Sequence, residues 1–176
     1  WYRSDDTSLD TSSDTAISGA TSQTYTLVQD DVDKYIFVTA TYTDDQSTSE
    51  TPESSATGQI GNVDDAGSVA ISGTETQGQV LTATVTDADG ASNPITYAWY
   101  RSADTSLDTG SDTSIGTNSS SYTLVQDDVD NYIFVTATYA DDQGTSESPA
   151  SSATGQIANV DDAGTVAISG TETQGQ

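Results

Sequence analysis

The run Tyr132-Ile133-Phe134-Val135-Thr136-Ala137-Thr138-Tyr139 carries Ile133, Val135 and Ala137 at every second position. A period of two is the signature of a β-strand, because successive side chains leave opposite faces of the backbone. These three residues are therefore expected to face a core. The same alternation recurs on either side of this run. Val69 and Ile71 mark one strand, and Leu81, Ala83 and Val85 alternate with Thr82, Thr84 and Thr86 in another. Ile95, Tyr97 and Trp99 form a third, Tyr122 and Leu124 a fourth, and a weak Ser/Ala strand ends near Ile157. Gly73, Gly78, Asp89-Gly90, Asn93-Pro94, Gly110, Gly116 and Gln143-Gly144 supply the turns between them. No stretch holds a 3.6-residue period, so the chain reads as all-β.

The deciding stretch also occurs a second time. Tyr25 to Glu50 recurs as Tyr122 to Glu147 with three changes, Trp1-Tyr2-Arg3-Ser4 as Trp99-Tyr100-Arg101-Ser102, and Val63 to Gln79 as Val160 to Gln176. A period of about 97 residues implies a modular array. The polar Asn-Val-Asp-Asp-Ala stretches at 62–66 and 159–163 read as linkers. The chain then divides into a partial repeat at 1–61, a complete repeat at 67–158, and the first strand of a further repeat at 164–176. The partial repeat is expected to lack its first two strands and not to fold completely alone, since unpaired backbone and an open core would result. About seven strands per unit, with Trp99 on the third and Tyr132 near the start of the penultimate one, predict tandem immunoglobulin-like β-sandwiches.

Composition excludes several roles. With 28 acidic residues against three basic ones, the formal net charge is −25. Arg3, Lys34 and Arg101 cannot neutralise a phosphate backbone, so no nucleic-acid partner is expected. No apolar run approaches the ~20 residues that span a bilayer, so no membrane insertion is expected. The absence of His and Cys removes Ser-His-Asp and thiolate chemistry, and no glycine-rich phosphate loop is present; the chain does not read as an enzyme. Asn118-Ser119-Ser120 is a bare glycosylation sequon.

Of the acidic residues 23 are Asp and five are Glu, an imbalance that points to loops and turns. In a sandwich of this kind one pole would gather Asp64 and Asp65 from the linker, Asp87 and Asp89 from the Asp-Ala-Asp-Gly loop, and Asp141 and Asp142 from the late loop. The facing pole of the preceding unit would present Asp30, Asp31 and Asp33. The next junction would reuse Asp127, Asp130, Asp161 and Asp162. Such a concentration of carboxylates repels itself unless a cation compensates, and Ca²⁺ takes six to eight oxygens of this type. Asp also tolerates turn geometry, so the same residues read as solvated turns. Asp128 has a third reading, a structural contact with an Arg or the backbone just before the penultimate strand.

Three linked motifs, Gly67 to Gly90, Ile95 to Ser102 and Tyr122 to Val129, resemble the tandem immunoglobulin-like repeats of giant bacterial surface adhesins of the repeats-in-toxin type. The resemblance implies an extracellular, calcium-rigidified extender at the bacterial cell surface, whose partners are neighbouring repeats of the same polymer. Phe134 departs from it where a polar residue is common, and the glycine-rich nonapeptide calcium repeats are absent.

Trp99 is expected in the core against Val135 and Leu81. Tyr132 and Phe134 fall on the opposite phase and are expected to point outward, with Tyr100 on the outer face of the third strand. An exposed aromatic set of this kind would suit lateral self-association into fibres, or glycan binding, as the alternative to a pure spacer.

Overall fold

The computed structural model describes residues 1–170 and 173–175; Thr171, Glu172 and Gln176, part of the tail expected to begin a further repeat, lie outside the described residues. The chain is all-β, with antiparallel sheets and, among the described residues, two short 3-10 turns, Gln29–Asp31 and Gln126–Asp128.

In the first part of the chain, β1 (Tyr2–Ser4), β2 (Thr15–Ala16) and β3 (Tyr35–Phe37) form a sheet in the order β2-β1-β3. A separate two-stranded ribbon joins β4 (Tyr42–Thr43) to β5 (Ser49–Glu50). The second part is larger. Strands β6 (Ser68–Gly73), β7 (Val80–Thr86) and β10 (Ser121–Thr123) make one sheet in the order β10-β7-β6. Strands β8 (Thr96–Ser102), β9 (Thr113–Ile115), β11 (Tyr132–Ala140) and β12 (Ser146–Glu147) make the other, in the order β12-β11-β8-β9.

The two sheets of the second part close on one apolar cluster. Val69, Leu81 and Ala83 come from the first sheet, and Trp99, Ile133, Val135 and Ala137 from the second. The alternation that marks these strands in the sequence is the alternation that fills this cluster. Trp99 is fully buried, donates its indole N–H to the Ser119 carbonyl at 2.9 Å, and lies 5.8 Å from the Tyr122 ring. Both polar and apolar needs of the indole are thus met.

The Ser/Ala stretch before Ile157 forms no continuous strand, and its composition has a physical reason. It runs beside β11, where Ser151 Oγ accepts the Val135 N–H at 3.0 Å and Thr154 Oγ1 accepts the Ile133 N–H at 2.9 Å. Hydroxyls stand in for carbonyls along part of this edge, so buried β11 amides stay satisfied. Ser54 and Thr57 do the same for Val38 and Ile36 in the first part.

One expectation about the aromatics is corrected. Phe134 is only 2% exposed; it sits in register with Tyr100 of β8, outside the main cluster. The face of β11 that alternation assigns to solvent is covered at Phe134 but exposed at Thr138, and Phe37 in the first part is buried to the same degree as Phe134. Tyr132 and Tyr100 are half-buried.

The first part is an open half of the same design. Leu27 is 49% exposed while its repeat counterpart Leu124 is 1% exposed, and Tyr42 is 53% exposed against 5% for Tyr139. No described residue takes the place there that β6 and β7 occupy in the second part. The tail Gly164–Gly170 repeats the β6 sequence but forms no strand, with Val166 and Ile168 fully exposed.

Candidate metal centre

Three segments meet at one pole of the closed unit: the linker before β6, the β7–β8 loop and the β11–β12 turn. Each brings a carboxylate. Ligand oxygens of Asp64, Asp89 and Asp141 all lie within 4.8 Å of one another.

Local hydrogen bonds aim these groups. Asp89 follows Thr86 by three residues in a tight turn, where its N–H donates to Asp87 Oδ1 at 2.9 Å. Its Oδ2 accepts the Asp65 N–H at 2.7 Å, which ties the linker to the loop. Asp141 opens the β11–β12 turn and accepts the N–H groups of Gln143 and Thr145 through Oδ1, at 2.9 and 2.7 Å. This leaves one oxygen on each of the two residues. Asp89 Oδ1 and Asp141 Oδ2 are buried and have no hydrogen-bond partner, on side chains of residues 3% and 1% exposed.

An unpartnered buried carboxylate oxygen is costly, and two ionised carboxylates within 4.8 Å repel by on the order of 3 kcal/mol at an effective dielectric of 20. A cation placed among the three removes both penalties. The donor set is all oxygen, and the chain has no His, Cys or Met. That chemistry fits a hard cation such as Ca²⁺ rather than a thiolate- or imidazole-seeking metal.

The remaining carboxylates of this pole build the frame. Asp87 Oδ2 accepts the Tyr139 hydroxyl at 2.6 Å, Asp142 binds the Ser92 N–H and hydroxyl at 3.0 and 2.8 Å, and Glu147 accepts the Gly67 N–H at 3.1 Å. Burial, followed by the hydrogen bond to Asp87 and the charges of Asp87, Glu147 and Asp141, pushes the Tyr139 phenol well above its ordinary range. A Cβ on Gly67 would collide with that hydroxyl, so only glycine lets the linker lie this close.

The other carboxylates singled out in the sequence do not join the cluster; among the described residues only Asp64, Asp89 and Asp141 converge in this way. Asp31 is fully buried inside its own unit, where Arg3 Nε and Nη2 reach Oδ1 at 2.8 and 2.7 Å. Its Oδ2 accepts the Tyr25 hydroxyl and the Val28 N–H at 2.9 and 2.8 Å. Asp128 repeats the arrangement with Arg101, Tyr122 and Val125, the structural contact that its position suggested. Asp30 is exposed beside Arg3, and Asp127 is exposed. Asp33 and Asp130 are exposed turn residues, each with φ of 63°. Asp161 and Asp162 are exposed, and Asp162 accepts a hydrogen bond from the Gln77 amide at 3.2 Å.

A second set of contacts, unforeseen from composition, fastens each linker to the unit before it. Gln29 donates to the Asn62 side chain at 3.1 Å, and Gln126 donates to Asn159 at 3.2 Å. Just ahead of each linker, the Asp33 N–H binds the Ile60 carbonyl at 2.9 Å and the Asp130 N–H binds the Ile157 carbonyl at 3.0 Å, within the preceding unit. Gln and Asn in the same phase of both repeats were the available signal.

Neither the protein-family models nor the curated proteins compared with this chain match it. Among the described residues, no helix is long and apolar enough to cross a membrane.

Proposed function

We propose that the chain is a stretch of an extracellular structural extender, made of tandem immunoglobulin-like units whose seams are stiffened by Ca²⁺. The observation that carries this reading is that Asp89 and Asp141, each with an orphaned buried oxygen, cluster with the linker residue Asp64. The linker is gripped at its start by Gln29 and at its end by Asp89 and Glu147. A bound Ca²⁺ would supply the positive charge that joins Asp64 to Asp89 and Asp141. Asp65 and Gly67, through their N–H groups, hold the linker in place for it. Each unit adds about 40 Å to a rod if strands of eight to ten residues rise ~3.3 Å per residue and loops complete the length. Bacterial surface adhesion, with neighbouring repeats as partners and no catalysis, is the setting that this design suits. Burial of Phe134 removes one of the aromatics on which a glycan-binding surface would rest.

Calorimetry of the chain with Ca²⁺ and with chelator tests the proposal. At free Ca²⁺ a hundredfold above Kd the closed unit gains about 2.7 kcal/mol, a rise in Tm on the order of 10 °C. Asp141→Asn should abolish the rise while leaving the chelated protein no less stable, since it also relieves repulsion. Identical melts with Ca²⁺ and chelator at low salt would sink the reading.

A further inference from the structure

We infer that the free edge of β6 is a contact surface for the same edge of a second copy of the chain, so that two copies join antiparallel into one continuous sheet. None of the residues involved belongs to the cation site, and all lie inside the closed unit.

β6 is the outermost strand in the order β10-β7-β6, and it pairs with β7 in unbroken register from Ser68 opposite Thr86 to Gly73 opposite Leu81. Among the described residues its main chain bonds to β7 alone. The chain then leaves this edge. Thr76 bridges to Ala158, and a cleft of about 190 Å³ lies between residues 69–71 and residues 152–154. An edge strand of six residues turns the N–H and C=O of alternate residues outward, about three of each, and these groups are a template for another strand.

Exposed edges are kept from pairing by charge, by Pro, by a bulge or by brevity. β6 has none of these. Ser68–Gly73 contains no charged residue and no Pro, and its register has no bulge. The other edges of the closed unit are short: β10 and β9 hold three residues each, and β12 holds two, one of them Glu147.

Charge selects the partner. An uncharged edge gives no attraction for a basic or an acidic peptide, and the chain carries 28 acidic residues against three basic ones. Two copies that meet along β6 set no carboxylate of one strand against a carboxylate of the other. Because the edge pairs with itself, the contact is isologous and closes as a dimer. The exposed Ala70 and Ser72 then lie opposite Ser68, Ala70 or Ser72 of the second copy, since only these share their face.

Sedimentation velocity of the full chain over a concentration series tests this, in chelator so that no cation bridges carboxylates. A monomer–dimer equilibrium is expected, and added NaCl should strengthen it by screening the repulsion between two chains of charge −25. The double variants Ala70→Asp/Ser72→Asp and Ala70→Lys/Ser72→Lys should both stay monomeric, because either sign sets like charges opposite each other across the edge. The lysine pair lowers the net charge, so its loss of association cannot come from overall repulsion. Ser114→Lys/Thr138→Lys, at exposed positions of the other sheet, should dimerise as the parent does. With added oxidant, Ala70→Cys/Ser72→Cys, in a chain with no other Cys, should form intermolecular disulfides faster than Ser114→Cys/Thr138→Cys. A monomer at every concentration, or dimers that persist in both charged β6 variants, would overturn the proposal.

Discussion

Arg101, Asp128 and Tyr122 form a buried anchor where the 3-10 turn meets β8, and Arg3, Asp31 and Tyr25 copy it. Burial, then the hydrogen bond and charge of Asp128, push the Tyr122 phenol up to about 12. A raised phenol means the fold favours the neutral form. This contribution to stability is complete below a pH of about 10 and is lost as pH rises through about 12. An alkaline absorbance titration should show late tyrosinate steps, Tyr139 among them, whose amplitude Tyr122→Phe lowers by one phenol. Asp31 works in the opposite sense. Burial pushes its carboxyl upward, but the Val28 N–H, Arg3 and Tyr25 outweigh it and hold the group below the ordinary carboxylate range. Its contribution is present above a pH of about 4 and is lost as pH falls through the depressed value. At this scale the sequence disclosed the Asp clusters, and it offered Asp128 as an anchor. It did not distinguish Asp89 and Asp141, with their orphaned oxygens, from Asp87 and Asp142, whose oxygens are satisfied.

Strands show how far alternation carries. Every second residue of β11 was legible as core because the pattern is local and long. The stretch at residues 150–157 was read as a weak strand, but its pairing with β11 through the Ser151 and Thr154 hydroxyls was not legible, because a polar loop could carry the same residues. Phe134 was misplaced by the same rule: a period of two tells which residues share a face, not whether that face is covered. Identical elements also differ in energy. Leu124→Ala removes a fully buried side chain and should cost about 2–5 kcal/mol. Leu27→Ala, at a half-exposed copy of the same residue, should cost well under half as much in the free chain. Urea melts of the two variants give the comparison directly, and equal losses would show that Leu27 is covered in solution.

Across the whole molecule, stability should be uneven. The second part has two sheets closed on one cluster, whereas the first has short strands over an open groove. Hydrogen exchange should therefore find the slowest amides in β7, β8 and β11, with those of β1 and β3 exchanging sooner. Equal protection in both parts would require a cover on the first. By itself the sequence determined that the chain is all-β, that its segments recur with a period of about 97 residues, and that it is rich in Asp. These follow from local period and composition. Tertiary structure alone decided which three carboxylates converge, that Phe134 is buried, and that Leu27 and Leu124, set in the same local sequence, meet opposite environments. The physical reason is that burial and charge proximity depend on what packs from elsewhere in the chain. Leu124 lies beneath the β6–β7 sheet, and among the described residues Leu27 has no such cover.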